Sequence, residues 1–543
     1  MVKNRKTGAG FLAAAGLILL LILLSRAVGL TCNLSLHPDE SEFYNGSGSL
    51  AASLLDPDVP FVEEKEYPEG AYVLQLPFQL LKEILGSDHW FWRSSHCWSR
   101  ISSVFYFTLA VVYGMMILTN FFSRSKRAAV LYGLTMCFSL FFIEHSRYGV
   151  GDMGSLWLVM ATVWHCARAL ERKQMAHLIV AFFCTGILGA VKYPQIFFVL
   201  LPCGTYLHMS DRPKGRKAAA VAGLLLVALL GLLMFSPKAA VDPGYFLRVL
   251  DREGKAYVTE GTSFSSGGVL NQTISVVLYT LLYSDFPLSF LLVAVYFVRG
   301  FARRGDVSGT QYLLRKLLPG VITLFFGYNL FAKLVVFRTF TPFFGMTALY
   351  SAEAAGKLWE HCDGKGRRVG RAAVAVLTCF MILRGGWLMV VTGHQGDNKE
   401  PIAMMAVSAV DSSWEKVTLL TPYNVATEYS FEDLPGSPEG LSVNRIDIEY
   451  YEQETGSYVL SPGELAVTGS YEHGLMAPYF LPYRKSLTAS ADAAWAAFKE
   501  ANREYYVGQL YPSGYYYLFG GYLRGGTLSS FLMPCNMVYY RGA

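Results

Sequence analysis

FLAAAGLILLLILLSRAVGL, Phe11 to Leu30, is followed within a few residues by His37-Pro38-Asp39-Glu40. An apolar run of this length crosses the roughly 30 Å hydrocarbon layer as a helix. Two adjacent carboxylates at its mouth are costly beside hydrocarbon, so they must face water or a substrate. The run is longer than the apolar part of a signal peptide, and no small-x-small cleavage site precedes the loop. It therefore reads as a retained anchor.

Composition extends this reading to most of the chain. Of 543 residues, 53% are hydrophobic and only 16% charged, too apolar for a soluble enzyme of this size. Repeated apolar runs predict about eleven transmembrane helices: 9–30, 99–120, 128–143, 153–169, 176–191, 194–209, 218–235, 273–298, 313–331, 336–356 and 372–392. Short connections on one side hold 23 of the 46 Lys and Arg residues, from Lys3, Arg5 and Lys6 to Lys365, Arg367, Arg368 and Arg371. The opposite connection 31–98 carries 11 acids and 3 basic residues. The net charge of +5 thus follows membrane sidedness and does not point to nucleic acid. This alternation puts the N-terminus in the cytoplasm and the C-terminus outside.

The chain divides into a membrane domain, 1–392, which includes the first outer loop 31–98, and a soluble outer domain, 393–543. The outer domain is expected to be α/β or α+β, with strands at Lys416–Thr421, Tyr505–Leu510 and Met537–Tyr540. A helix is expected over Ala491–Glu504, with Ser490 as its N-cap. The nine cysteines show no metal-binding spacing. Cys32 and Cys97, at the outer ends of the first two spans, either pair or stay as thiols. Arg384 falls inside the last span, where a charge is costly unless paired or snorkelled. The sequons at Asn33, Asn45 and Asn271 carry no functional reading. Gly514-Tyr515-Tyr516-Tyr517 reads as packed aromatics rather than a sugar platform. The loop 236–272 could order over substrate as a lid or be a solvated linker.

Basic residues at outer helix ends are not explained by the charge rule. They are Arg147 in Glu144-His145-Ser146-Arg147-Tyr148-Gly149-Val150-Gly151-Asp152, Lys192 in Lys192-Tyr193-Pro194, and Lys333 and Arg338 between spans nine and ten. Snorkelling to headgroups is one reading. A site for an anionic lipid headgroup beside Asp39 and Asp152 is the other, since a guanidinium fork suits phosphate.

Several motifs together resemble a family. They are the Asp39-Glu40 pair, Asp56-Pro57-Asp58-Val59-Pro60-Phe61, Tyr67-Pro68-Glu69-Gly70, Arg147-Tyr148 with Asp152-Met153, Lys192-Tyr193-Pro194 and Arg338 to Pro342. Their order and sidedness resemble the GT-C glycosyltransferases, in the branch of the protein O-mannosyltransferases and aminoarabinose transferases. The resemblance implies a multi-pass, bacterial-type plasma-membrane enzyme. It would move a monosaccharide, without a nucleotide and with inversion, from a polyprenyl-phosphate donor to an extracytoplasmic glycan, lipid or protein. On this reading Asp39 is the catalytic carboxylate, and Asp152 serves the sugar or the acceptor. Glu40, Tyr67, Arg147, Tyr148, Lys192, Lys333 and Arg338 would bind substrate. No metal ligand is assigned; His37 beside Asp39 and Glu40 leaves a divalent cation there as an alternative. The rivals are a transporter or lipid flippase, whose key polar groups usually lie at mid-bilayer in repeated halves, and an anchored protein that binds through its C-terminal domain.

Overall fold

The computed structural model describes residues 2–27, 40–59, 69–86, 95–122, 124–255, 309–331, 337–361, 364–394, 416–421, 442–447, 458–468, 497–510 and 536–541. Expectations resting on His37, Asp39, Tyr67, Lys333, Cys32, the span 273–298 and Tyr515 to Tyr517 lie outside these residues.

The expected spans in the described part are helical. They are α1 (Val2–Ala27), then, after the helices α2 (Glu40–Leu55) and α3 (Glu69–Leu85), α4 (Ser95–Asn120), α5 (Lys126–Phe138) with α6 (Leu140–His145), α7 (Asp152–Arg172) and α8 (Met175–Val191). A 3-10 helix, Tyr193–Val199, leads into α9 (Leu200–Met209), and α10 (Lys214–Phe235) precedes the short α11 (Pro237–Val241) and α12 (Pro243–Gly254). A π-helical turn, Leu313–Leu317, opens α13 (Leu318–Phe331), and a 3-10 turn, Phe337–Phe340, opens α14 (Thr341–His361), which is followed by α15 (Gly364–His394). Among the described residues, four helices are long and apolar enough to cross a membrane: those holding Gly10–Ala27, Ser95–Asn120, Lys214–Phe235 and Arg368–Gly386.

Two features refine the sequence reading. Residues 31–98 are more than a loop, because α2 and α3 fold within them. The expected span 128–143 is two helices, broken at Ser139, whose backbone is extended. The break coincides with a close crossing: a Cβ at Gly385 of α15 would lie 2.1 Å from the Phe138 carbonyl oxygen. At the other end of α5, Ser125 caps the helix by accepting from Ala128 N–H at 3.2 Å, and its hydroxyl donates to Glu360 of α14 at 2.8 Å. That one serine closes an orphan backbone donor and ties two helices.

In lipid, helices gain little from burying apolar surface against each other, so close approach of small residues does much of the packing. The α8–α10 contact works this way in both directions. A Cβ at Gly186 would sit 1.8 Å from the Ala228 carbonyl oxygen, and one at Gly231 would sit 2.5 Å from that of Phe183. Arg384, expected within the last span, lies in α15 with its guanidinium 5.7 Å from the Phe380 ring centroid.

All three strands expected in the C-terminal region are present. They are β1 (Lys416–Thr421), β4 (Tyr506–Leu510) and β5 (Asn536–Arg541), joined by β2 (Ser442–Asp447) and β3 (Glu464–Thr468). The sheet order is β2-β1-β3-β5-β4; β1 is parallel to β2 and β3, whereas β5 is antiparallel to β3 and β4. Of the expected helix, residues 497–504 are described; 497–501 are α-helical and Arg503–Tyr505 form a 3-10 turn, and Phe498 stands edge-on to Tyr539 at 5.2 Å. Asn502 closes its end by accepting from Leu460 N–H at 2.8 Å and donating to the Tyr458 carbonyl at 2.7 Å.

Replacing Gly186 or Gly231 with valine should lower the melting temperature in detergent, because the helices must separate to admit the side chain; overpacking of this kind costs roughly 1–3 kcal/mol. Gly223→Ala in the same α10 should melt no lower than wild type, since nothing lies within 4 Å of the added Cβ.

Candidate active site

Glu40 begins α2 and is fully buried. Its carboxylate meets Arg100 of α4 through two bonds, Nε to Oε1 at 2.8 Å and Nη2 to Oε2 at 2.7 Å. Oε1 also accepts the Gly149 N–H at 2.6 Å, and His96 Nε2 lies 3.6 Å away. Burial pushes the Glu40 carboxyl pKa up, but Arg100 and His96 more than offset it and hold the group well below the usual carboxylate range. Glu40, expected among the substrate-binding residues, has both oxygens engaged in a tie between α2, α4 and the turn before α7.

That turn is fixed from its other side as well. The Gly149 carbonyl accepts from Gln75 Nε2 of α3 at 2.8 Å. Gln75 Oε1 accepts from Ser99 Oγ at 2.8 Å and Ser47 Oγ at 3.2 Å, and Gln79 donates to Ser99 Oγ at 3.0 Å. Glycine is required at 149 by proximity: a Cβ would meet Ser99 Cβ at 2.8 Å and Arg100 N at 3.2 Å. Helices α2 and α3 are thus bonded to α4 and the 146–152 turn through buried polar groups.

On the far side of the turn, Asp152 opens α7, where a carboxylate complements the helix dipole. It is buried and pairs with Lys192, which follows α8. Two residues far apart in sequence, both expected at the site, are therefore in contact. Their neighbours pack without side-chain bulk. A Cβ on Gly151 would touch Ala71 Cβ at 3.0 Å, and one on Gly70 would meet the Ala190 carbonyl carbon at 2.5 Å. Arg147 is 1% exposed and Tyr148 half-buried. Arg338 lies in the 3-10 turn before α14, and its carbonyl accepts from Thr341 Oγ1 at 2.6 Å. An aromatic series links that end of α14 to the Arg147 turn: Phe344 to Phe141 at 4.6 Å, Phe141 to His145 at 4.2 Å and His145 to Tyr148 at 6.0 Å.

Sequence reasoning missed several residues. Arg26 was read only as part of the first apolar run. It is fully buried, donates to Ser146 Oγ at 3.2 Å and to Ser25 Oγ at 2.9 Å, and stands 5.5 Å from the Phe107 ring. Arg100 falls inside the expected second span, and the available signal is that a charge in an apolar segment needs a partner. Glu69 was quoted only within a motif. It accepts from Ser236 Oγ at 2.8 Å and Lys238 N–H at 3.0 Å, joining α3 to the start of α11. The segment 236–255, read as lid or linker, is helical and packs Phe246 against Tyr193 at 5.7 Å.

Arg100→Met should cost roughly 3–5 kcal/mol by stranding a buried carboxylate. The double variant Glu40→Gln/Arg100→Met should recover part of the loss in detergent melts. The folded-state pKa of Glu40 is depressed, so its contribution is full above the unfolded value of 4.5 and fades as pH falls below it. The double variant should accordingly lack that part of the acid sensitivity between pH 5 and 3.

Residues 97–240 match the family model for dolichyl-phosphate-mannose-protein mannosyltransferases. This segment holds Arg100, Arg147, Asp152 and Lys192. No curated protein matches the chain in sequence. Among solved structures, ArnT from Cupriavidus metallidurans bound to undecaprenyl phosphate superposes with a TM-score of 0.52 at 13% identity, covering 86% of this chain and 94% of that one. The archaeal oligosaccharyltransferase AglB from Archaeoglobus fulgidus gives 0.48 at 10% identity, covering 93% and 73%. At these identities the likeness is one of fold, and the first is close enough to carry it. The resemblance read from the motifs therefore holds: the chain has the helical membrane fold of the GT-C glycosyltransferases, and residues 97–240 carry the mannosyltransferase-family signature.

Proposed function

We propose that this protein is a membrane glycosyltransferase that moves a monosaccharide from a polyprenyl-phosphate donor to an extracytoplasmic glycan, lipid or protein acceptor, with inversion. The observation that carries the reading is the convergence on one turn, 146–152, of the buried Glu40–Arg100 pair and the Asp152–Lys192 pair. A polyprenyl-phosphate sugar presents its phosphate at the membrane surface, where charged groups at helix ends can meet it.

The reaction needs three things: a hydroxyl oxygen made nucleophilic, an anomeric carbon–oxygen bond broken, and charge on the departing phosphate stabilised. Asp39, immediately before Glu40, accepts the acceptor's proton as its oxygen bonds to the anomeric carbon. The anomeric C–O bond breaks with its electron pair going to the carrier phosphate. Arg147, Lys192 and Arg338 supply positive charge to that phosphate. Glu40 is a positioning residue: its tie to Arg100 and Gly149 fixes where α2 begins, one residue after Asp39 in sequence. Asp152 holds Lys192 and orients it, and Tyr148 borders the same turn. Tyr67 and Lys333 complete the substrate-binding set. An acceptor that is itself a phosphate or carboxylate needs no base, and Asp39 would then orient it or support the sugar. A divalent cation near Asp39 would add further charge to the leaving phosphate; the transfer as written does not depend on it.

Asp39→Asn should reduce transfer by ~10²–10⁴-fold, the usual contribution of a general base, while membrane insertion and melting temperature stay at the wild-type value. The assay is mass spectrometry of product formed from a panel of polyprenyl-phosphate sugars and cell-envelope acceptors. Full activity in the variant removes Asp39 from the mechanism. Movement of the lipid across vesicles without cleavage of the glycosidic bond would point to transport instead.

A further inference from the structure

Gln195 lies in the 3-10 helix that follows Lys192-Tyr193-Pro194, and it is 1% exposed. Its backbone N–H bonds to the Lys192 carbonyl at 2.9 Å, but its side-chain amide is different. Neither Oε1 nor Nε2 has a hydrogen-bond partner among the described residues. Leaving such an amide buried and unmatched costs about 1–3 kcal/mol. A chain retains that cost where something outside it completes the bonds.

The surroundings say which way this amide faces. In a 3-10 helix, positions i and i+3 share a face, so Gln195 lies on the same side as Phe198. Phe198 is fully buried and packs on Phe325 of α13 at 5.4 Å. One residue earlier, Phe197 meets Tyr328 at 5.0 Å. The pairs 197–328 and 198–325 run in opposite directions, so the two segments are antiparallel and Gln195 is level with Asn329. Asn329 is a second buried amide, whose Nδ2 donates to the Phe325 carbonyl at 2.7 Å. Gln195 therefore faces the bundle interior, one 3-10 turn, roughly 6 Å, beyond Lys192.

We infer that Gln195 is a donor-recognition residue whose side-chain amide hydrogen-bonds hydroxyl groups of the lipid-linked sugar, while the charged helix ends around Lys192 take the phosphate. The chemistry selects the sugar over the phosphate. A phosphate offers only acceptors and would leave Oε1 unmatched. Sugar hydroxyls both donate and accept, so they satisfy the two ends of a carboxamide together. This inference rests on the reading of the protein as a user of polyprenyl-phosphate sugars.

The test compares wild type with Gln195→Met, an apolar side chain of similar length, in binding to undecaprenyl phosphate and to a panel of undecaprenyl-phosphate monosaccharides. Wild type should bind at least one loaded carrier more tightly than the bare one. Gln195→Met should leave affinity for bare undecaprenyl phosphate unchanged and weaken the preferred loaded carrier about tenfold. Its melting temperature without ligand should equal or exceed that of wild type, because the amide it removes has no partner among the described residues. Three results overturn the inference while sparing the functional reading: a loaded-carrier preference unchanged in the variant, equal weakening toward bare and loaded carriers, or a lowered ligand-free melting temperature with the preference intact, the mark of an amide held by an internal water. Wild type that binds no carrier at all would remove the functional reading and this inference with it.

Discussion

The fold around the site depends on one buried ion pair, Glu40 with Arg100. Taking two charges out of water costs several kcal/mol per ion, and their attraction offsets this only where geometry is good and the remaining valences are filled. Here the guanidinium fork meets both carboxylate oxygens, and the Gly149 N–H fills a further position. Neither charge can move without exposing the other. The start of α2, the N-terminal end of α4 and the 146–152 turn therefore hold one relative position. Asp39 immediately precedes that fixed point, and Arg147 and Asp152 flank the glycine that shares it.

The second constraint is steric. Helix ends can gather around a small polar centre only if their backbones come close, and glycines at 70, 149 and 151 allow this. Each stands where a Cβ would meet a neighbouring helix at 3.0 Å or less. Gln75 and Ser99 then pair across the gap that remains. Polar bonds fix direction and small residues fix distance, which is the combination a membrane interior favours when hydrophobic burial between helices supplies little.

Much of the scaffold was legible from sequence because its signals are local. Apolar length marks a span wherever it lies, and β1, β4 and β5 fall where runs of strand-forming residues stand between turn signals. The outer basic residues Arg147 and Lys192 stood out because charge sidedness left them unexplained. Other features were hidden for equally physical reasons. Glu40 and Arg100 are 60 positions apart, and Glu40 and Gly149 are 109 apart; no periodicity links such residues. Arg26 and Arg100 sit inside apolar runs, and nothing in the local sequence sets Gln75 or Gln195 apart from other polar residues.

By itself, then, the sequence determined the membrane class, the alternation of basic and acidic connections, the order of the motifs and the strand positions in the C-terminal region. Each of these follows from composition or spacing along the chain. Tertiary structure alone decided that Glu40 bonds Arg100 and Gly149, that Asp152 and Lys192 meet, and that the Gln195 amide has no hydrogen-bond partner among the described residues. Those outcomes depend on which groups are brought within hydrogen-bond reach after water is excluded. That selection is made by packing, through the closeness that a few glycines permit and the partners that buried charges require.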